Sequence, residues 1–206
     1  MSQPLTSRRD RLRQEAVAEI KAIAMRQLAA SGASGISITA IAKQMGMTGP
    51  ALYRYFANRD ALLTALIRDG YADLAHTTEL VAERAAALPP ADRLHAVATA
   101  VRAWALAEPH RYLLLFGTPV PGYEAPMDTL DAANRALHVF AAIAAELLAE
   151  SRRPEASTDV LLMATVVWTR IHGVVSLEIV GQYTHLHIDP AMLLNREIDS
   201  VIESLS

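Results

Sequence analysis

A glycine between two short helical patterns is the feature that most constrains this chain. Ile41 and Met45 lie before it, at the four-residue spacing of one helix face. Gly46 follows at once, and glycine adopts the positive φ of a tight turn after a helix at little cost. Pro50 then suits the first turn of a new helix, where no N–H partner is lost. The pattern therefore predicts a helix-turn-helix over residues 38–56.

The second helix of this motif is predicted to begin after Thr48, whose side-chain oxygen would accept a hydrogen bond from an exposed N–H group. Leu52 and Phe56 are four residues apart, so we expect both to face inward. In a helix-turn-helix the second helix lies in the major groove, with its N-terminal half against the base edges. Gly49 and Ala51 are small enough to permit that approach.

Three polar side chains on the outer side of the second helix are candidates for contact with nucleic acid. Tyr53 and Tyr55 carry hydroxyls that donate to phosphate oxygens, and the guanidinium of Arg54 does the same. Arginine is also the commonest reader of guanine. The alternative for the two tyrosines is that they cap the domain core.

Charge is divided unevenly along the chain. Residues 1–60 hold nine Lys or Arg against four Asp or Glu, a net of +5, whereas the remainder holds ten against eighteen, a net of −8. Arg8, Arg9, Arg11 and Arg13 form a cluster ahead of the motif, which either starts a solvated helix or neutralises phosphates. The division indicates that the first part of the chain contacts a polyanion.

Helical periodicity continues through the rest of the sequence. Apolar residues make up 52% of the 206 residues, segments of helical spacing are separated by prolines, and no β-hairpin signal competes. We therefore predict an all-α protein. Residues 1–60 would form a three-helix helix-turn-helix domain that binds DNA, and residues 61–206 a helical domain for ligand binding and dimerisation. Asn58 is predicted to cap the helix that follows the motif.

Composition narrows the chemistry that remains open. The absence of cysteine excludes disulfides, thiolate catalysis and cysteine-based metal centres. His185 and His187 could bind a metal, but without a nearby carboxylate pair we predict neither a metal nor a cofactor. No apolar leader precedes the first helix, so we expect a cytoplasmic protein. Segment 160–180 is strongly apolar, yet Arg170 would cost about 2.5–3.5 kcal/mol in a bilayer, which favours a buried helix and no membrane.

The stretch Arg54-Tyr-Phe-Ala-Asn-Arg-Asp-Ala-Leu62, with Gly46 and Leu52 before it, resembles the DNA-binding domain of TetR-type transcriptional regulators. It departs from that family where a usual lysine is replaced by Arg59, and the charge is retained. The resemblance implies a homodimer that responds to a small molecule. Position by position it implies DNA contacts from Thr39, Thr48, Gly49, Pro50, Ala51, Tyr53, Arg54, Tyr55 and Arg59.

The stretch Trp168-Thr-Arg-Ile-His-Gly173 is similar to the ligand domain of a TetR subset marked by Trp, His and Gly at this spacing. Glycine weakens a helix, so Gly173 is interpreted as a point where another helix comes close. Aromatic and polar residues within otherwise aliphatic helices predict a site for a mostly apolar small molecule with one polar group. The predicted ligand-binding residues are Trp104, Tyr112, Phe116, Trp168 and His172. The alternative is plain core packing, with His172 as a satisfied core histidine.

The last helix places Leu194, Ile198, Val201 and Leu205 four, three and four residues apart, as a two-helix seam requires. We interpret this seam as pairing across the two-fold axis of a homodimer; an intrachain partner is the alternative.

Together these features predict a DNA-binding transcriptional regulator, most readily a repressor released by a small apolar ligand and bound to an inverted-repeat operator. The alternative is a DNA-binding dimer without a small-molecule effector. An enzyme using Glu108, His110 and Asp128 is the alternative from another class. The sequence contains no nucleophile elbow, phosphate loop or metal set, so we predict that the protein is not an enzyme and has no catalytic residues.

Overall fold

A computed structural model describes residues 7–127, 129–150 and 157–204 of the chain. Asp128 and Leu205, both named above, lie outside this range. All regular structure in the described residues is helical, which confirms the all-α prediction. The α-helices in chain order are α1 Arg8–Ser31, α2 Ile38–Gln44, α3 Gly49–Tyr53, α4 Arg59–Arg84, α5 Pro90–Ala107, α6 Pro109–Phe116, α7 Thr129–Glu150, α8 Ser157–Ile179 and α9 Pro190–Glu203. A short 3-10 helix, Ala33–Gly35, lies between α1 and α2.

Contacts divide the described residues into two compact units. The N-terminal unit comprises the chain up to Asp69 together with His110–Pro126, and the C-terminal unit comprises Gly70–Pro109 and the chain from Met127 onward. One boundary therefore falls inside α4 and another at the start of α6. A functional division after residue 60 stays a prediction.

The N-terminal unit is built on one apolar cluster. Neither α2 nor α3 is long enough to be stable alone, so each depends on the residues it buries against α1 and α4. Ser7 caps α1 by accepting a hydrogen bond from the backbone N–H of Asp10 at 3.1 Å. The buried residues of α1 recur at the three- and four-residue spacings of one helix face. Buried members of the cluster are Ile20, Ile23, Ala24, Leu28, Ile36, Ile38, Ile41, Ala42, Leu52, Phe56, Leu62, Leu63 and Leu66.

Helix α6 and the segment after it also pack on this cluster, although both are distant in sequence from the helix-turn-helix. Leu114, Val120 and Tyr123 lie against the buried residues of the N-terminal unit. The hydroxyls of Tyr123 and Thr64 are 2.9 Å apart and share a hydrogen bond. The prolines and glycines of residues 117–126 indicate where a helix ends, but they do not indicate what the segment packs on.

The C-terminal unit is a helical bundle in which α5 contacts α7, α8 and α9, and α8 contacts α7 and α9. Its core includes Trp104, Phe140 and Ile171. Ion pairs join the helices around that core. Arg102 on α5 donates two hydrogen bonds to Glu178 on α8, at 2.7 and 2.5 Å, and Arg170 on α8 pairs with Glu197 on α9.

The seam on α9 corrects one interpretation. Leu194, Ile198 and Val201 are each at most 2% exposed within a single chain, where α9 packs on α5 and α8. These side chains therefore belong to the intrachain core, and their interpretation as a seam with a second copy was wrong. The four-three-four spacing reports that a face is buried, but it does not identify what buries it.

Helix α8 is buried on one face only. Ala164, Val167 and Ile171 are buried, whereas Leu162 and Leu177 are 61% and 45% exposed. By length and composition, 160–179 is long and apolar enough to cross a membrane, a property it shares with core helices of soluble proteins. A Cβ at Gly173 would meet no other atom of the described chain within 4 Å, so close approach of another helix at this point stays a prediction.

Candidate nucleic-acid interface

The turn between α2 and α3 has the geometry predicted from its glycine. Ser37 caps α2, since its side-chain oxygen accepts a hydrogen bond from the backbone N–H of Ala40 at 3.3 Å. Gly46 has a φ of 66°, and the backbone N–H of Met47 donates to the carbonyl oxygen of Ala42 at 2.9 Å. This is the left-handed closure that a helix makes with glycine just after its end.

Helix α3 follows with two differences from the sequence interpretation. Thr48 occupies the N-cap position in an extended conformation, but its side chain makes no capping hydrogen bond, so that part of the prediction was wrong. The regular helix ends at Tyr53, and the backbone N–H of Tyr55 then donates to Leu52 at 2.8 Å in a tightened last turn. Leu52 and Phe56 are buried, as predicted.

The residues with implied DNA contacts lie in or next to α2, α3 and the start of α4, and none of them is fully buried. Thr39, Thr48, Pro50, Tyr53 and Arg54 are exposed. The others, namely Gly49, Ala51, Tyr55 and Arg59, are half-buried. A Cβ on Gly49 would meet no atom of the chain within 4 Å, so its small size serves no internal packing. This geometry permits close approach of a partner to the start of the helix.

The two tyrosines differ in their surroundings. Tyr53 is 50% exposed. Tyr55 is half-buried against the core cluster, and the guanidinium carbon of Arg13 lies 5.4 Å from its ring centroid, within the range of a cation–π contact. Tyr55 thus packs on the core with part of its ring and connects α3 to α1, while the side chain of Tyr53 faces outward.

Arg59 has a partner within the chain that the sequence did not indicate. Its Nη2 donates to the carbonyl oxygen of Ala33, at 2.6 Å, and so ties the start of α4 to the 3-10 helix before α2. Asn58 caps α4 as predicted, because its side-chain oxygen accepts from the backbone N–H of Ala61 at 2.8 Å. A guanidinium has five N–H donors, so Arg59 keeps donors beyond the one used here.

A basic groove lies beside α3 and is lined from α1 as well. We define the basic groove by Arg8, Arg9, Leu12, Arg13, Met47, Ala51, Arg54 and Tyr55, and its volume is about 580 Å³. None of its arginines makes an ion pair with another described residue. Four cations thus converge beside Ala51, Arg54 and Tyr55, the lining residues with implied DNA contacts. The cluster on α1 was visible in the sequence, but its place beside α3 is set by packing.

The five predicted ligand-binding residues do not lie in one unit. Tyr112 and Phe116 belong to the N-terminal unit, with ring centroids 5.2 Å apart. In the C-terminal unit Trp168 stacks on His172 at 5.9 Å and lies 6.3 Å from the ring of Phe140. Trp104 lies in the same unit.

Three of these residues carry a polar group that is hydrogen-bonded or shifted in pKa by burial. Nε1 of Trp104 donates to the carboxylate of Asp73 at 3.0 Å. Burial lowers the pKa of His172, which favours a neutral imidazole with one donor and one acceptor nitrogen. Burial likewise raises the pKa of Tyr112. Across the described part of the chain, no group of three or more metal-ligating side chains comes together.

Profiles of known protein families match both the N-terminal and the C-terminal part of the chain. A profile described as bacterial regulatory proteins of the tetR family matches residues 20–66, and one described as the tetracyclin repressor-like C-terminal domain matches residues 94–201. The HTH-type transcriptional regulator Rv1816 of Mycobacterium tuberculosis is 36% identical over 224 aligned residues, with 97% of this chain and 95% of that protein covered.

Two solved structures are similar to this chain over more than nine-tenths of its length. The crystal structure of SCO4313, described as a regulatory protein, has a TM-score of 0.85 and 42% identity, with 96% of this chain and 100% of that one covered. The TetR family transcriptional regulator PfmR from Thermus thermophilus has a TM-score of 0.65 at 14% identity, with 91% and 97% covered. At that identity the likeness to PfmR concerns the fold alone.

Proposed function

From the premise that this chain belongs to the TetR family of helix-turn-helix transcriptional regulators, we propose that it is a repressor. It would bind an inverted-repeat operator as a homodimer in the cytoplasm and leave that operator when a small molecule binds. We assign the chain no catalytic role, cofactor or metal.

The basic groove is the observation that carries this proposal. Arg8, Arg9 and Arg54 converge there without internal ion pairs among the described residues, next to the exposed side chain of Tyr53. Cations left without internal partners are available to phosphates, and the counterions that phosphates release make such binding favourable. Tyr53 on α3 and Arg54 at its C-terminal end would contact the duplex, while the arginines of α1 would hold the flanking backbone.

The exposed side of α8 supports the proposed homodimer. Leu162, Thr169, Gly173 and Leu177 follow one another at intervals of seven, four and four residues, Val180 comes directly after the helix, and all five lie outside the intrachain core. The open space at Gly173 would admit the backbone of a second α8. A two-fold axis through this stripe would relate two copies of α3, and two such helices read half-sites that form an inverted repeat.

The ring cluster of Phe140, Trp168 and His172 supports the proposed ligand response. The Phe140, Trp168 and His172 rings supply aromatic contact area and one neutral imidazole, which suits an apolar molecule with a single polar group. Such a ligand should change tryptophan fluorescence and operator affinity together, with Trp168→Phe as the control. A broad screen in which no compound changes both signals would favour the alternative, a DNA-binding dimer without an effector.

The experiment for the DNA-binding proposal is selection of duplexes from a random pool by the purified full chain. We expect an inverted-repeat sequence to be enriched. Its affinity should fall on the order of a hundredfold or more when salt is raised from about 50 to 200 mM, because several phosphate contacts release counterions. Arg54→Ala and Tyr53→Ala should each weaken binding.

Arg170→Gln provides a matched control, since Arg170 lies on α8 and pairs with Glu197 within the C-terminal unit. Its operator affinity should equal that of the wild-type protein. Equal affinity for every duplex sequence, or an affinity unchanged by both substitutions on α3, would refute the assignment of α3 as the reading helix.

A further inference from the structure

We infer that the C-terminal unit contains a binding site for a small organic carboxylate, in a cavity between α4, α5 and α7. The cavity has a volume of about 450 Å³ and is lined by Glu79, Ala82, Arg93, Arg135, His138, Val139, Ala142 and Ile143. This volume lies within the range of small-molecule sites. The cavity shares no residue with the ring cluster of Phe140, Trp168 and His172.

The cavity has an apolar wall and a cationic one. Ala82, Val139, Ala142 and Ile143 provide aliphatic surface from α4 and α7, whereas Arg93 and Arg135 bring guanidinium groups from α5 and α7. A mostly apolar site with a few charged groups fixes the orientation of a ligand that has an apolar body and one polar end.

One of the two guanidiniums is already neutralised. Arg135 donates to Glu79 through Nε at 2.9 Å and Nη2 at 2.6 Å, and the hydrogen bond from Arg135 holds the pKa of Glu79 below its usual range. This pair therefore forms a closed bidentate contact with little capacity for a further anion. The cationic group that remains for a ligand is Arg93.

Arg93 is held incompletely. Its Nη2 donates to Glu146 at 2.6 Å, but Nε is buried and, among the described residues, is the one buried side-chain nitrogen or oxygen without a hydrogen-bond partner. The partner carboxylate is also weakly held, because the Glu146 side chain is 49% exposed. A carboxylate enclosed in the cavity would offer two acceptor oxygens to the fork of the guanidinium once Arg93 turns toward it.

Charge and shape together select the ligand class. The apolar wall excludes a strongly hydrated inorganic anion, and an unmet N–H donor selects an acceptor group. A carboxylate with a short aliphatic body satisfies both requirements, whereas the corresponding neutral amide provides a single acceptor oxygen and no charge. Carboxylate binding by this cavity does not depend on the proposed function. We infer in addition that the bound carboxylate is an effector of DNA binding, and this second inference rests on the proposed function.

Calorimetry with the full chain, using hexanoate as the probe and hexanamide as the neutral control, tests the site. Hexanoate should bind at least about tenfold more tightly than hexanamide, because its pair with Arg93 is charge-assisted. Arg93→Gln should lower the affinity for hexanoate by a similar factor. Ala142→Phe, at an exposed position on the cavity wall, should do the same by filling the cavity.

Glu146→Gln keeps the test decisive even if Arg93→Gln fails to fold. Removing the competing carboxylate should tighten hexanoate binding by about threefold, since Arg93 then has no internal anion to leave. Arg170→Gln, which alters an Arg–Glu pair outside the cavity, should bind hexanoate as the wild type does. Equal binding of hexanoate and hexanamide, no binding of hexanoate, or unchanged binding in Glu146→Gln would each overturn the inference.

Operator affinity measured on the same preparations separates this inference from the proposed function. If the wild-type protein does not bind DNA, the proposed function is refuted, whereas the carboxylate site is not. Intact operator binding without any hexanoate binding would refute the site alone. If hexanoate binds but leaves operator affinity unchanged, its assignment as an effector is wrong.

Discussion

The arginines of the basic groove differ in their partners from the arginines that join the helices of the C-terminal unit. In the N-terminal unit Arg8, Arg9 and Arg54 line the basic groove without internal ion pairs among the described residues. In the C-terminal unit the arginines at 93, 102, 135 and 170 each pair with a glutamate on another helix. What the C-terminal unit exposes instead is aliphatic surface, chiefly along α8.

This difference shows which partner each unit suits. A cation that is not paired internally keeps its capacity for an external anion, and phosphate is the anion that a helix-turn-helix meets. Cations paired within the bundle orient its helices and contribute little to outside recognition, except for Arg93, whose buried Nε has no partner among the described residues. The exposed aliphatic stripe of α8 then suits a surface of the same kind, such as that of a second copy.

The largest expected effect separates the core of the C-terminal unit from its exposed stripe. Ile198→Asp would bury an unpaired carboxylate and should cost about 4 kcal/mol of unfolding free energy or more, so the protein should be insoluble or unfolded. Leu177→Glu alters an exposed position and should leave a folded monomer. Sedimentation and circular dichroism distinguish the two outcomes. A dimer that persists in Leu177→Glu would remove α8 from the interface.

The second effect concerns the basic groove. Combining Arg8→Gln, Arg9→Gln and Arg54→Gln should lower operator affinity on the order of a hundredfold to a thousandfold, and should reduce the slope of log affinity against log salt by roughly 2 to 3. Thermal stability should stay the same, because these arginines make no internal ion pair within the described chain. Fluorescence anisotropy across a salt series measures both quantities. An unchanged salt slope would contradict the assignment of these arginines to phosphate contacts.

The third effect tests whether the paired arginines of the C-terminal unit stabilise the fold and do not contribute to DNA binding. Arg102→Gln would leave Glu178, whose side chain is only 15% exposed, without its bidentate partner. We expect a loss of about 1–3 kcal/mol in unfolding free energy, with operator affinity per folded dimer unchanged. Arg170→Gln disrupts a more exposed pair and should cost about 0.5 kcal/mol or less. Urea unfolding of both variants compares the two pairs directly, and equal losses would show that burial does not decide their contributions.

The smallest effect comes from a neutral histidine in the C-terminal unit. Burial lowers the pKa of His172, so below about pH 6.5 the unfolded chain takes up a proton there that the folded chain resists. Stability should therefore fall as the pH drops from 7 to 5.5. In His172→Phe this fall should be smaller. Melting temperatures across that range provide the measurement, and identical pH profiles would show that His172 does not contribute.

Much of the fold follows from local patterns. The helix-turn-helix was predictable because its glycine, proline and apolar spacing act over a few residues, and Asn58 caps α4 as its position indicated. Burial of Leu52 and Phe56 was predictable for the same reason. Local patterns did not identify partners. The cap at Thr48 did not form, and Arg59 turned out to bind the carbonyl of Ala33.

The sequence by itself determined the helical class, the helix-turn-helix and the basic character of the first sixty residues, because periodicity and charge are properties of neighbouring residues. Only the tertiary structure decided that α1 brings its arginines beside α3, that residues 110–126 pack with the helix-turn-helix core, and that Ile198 faces its own chain. A spacing of three and four residues marks a face as buried. Which surface buries it depends on contacts between segments far apart in sequence, and those are set by packing of the whole unit.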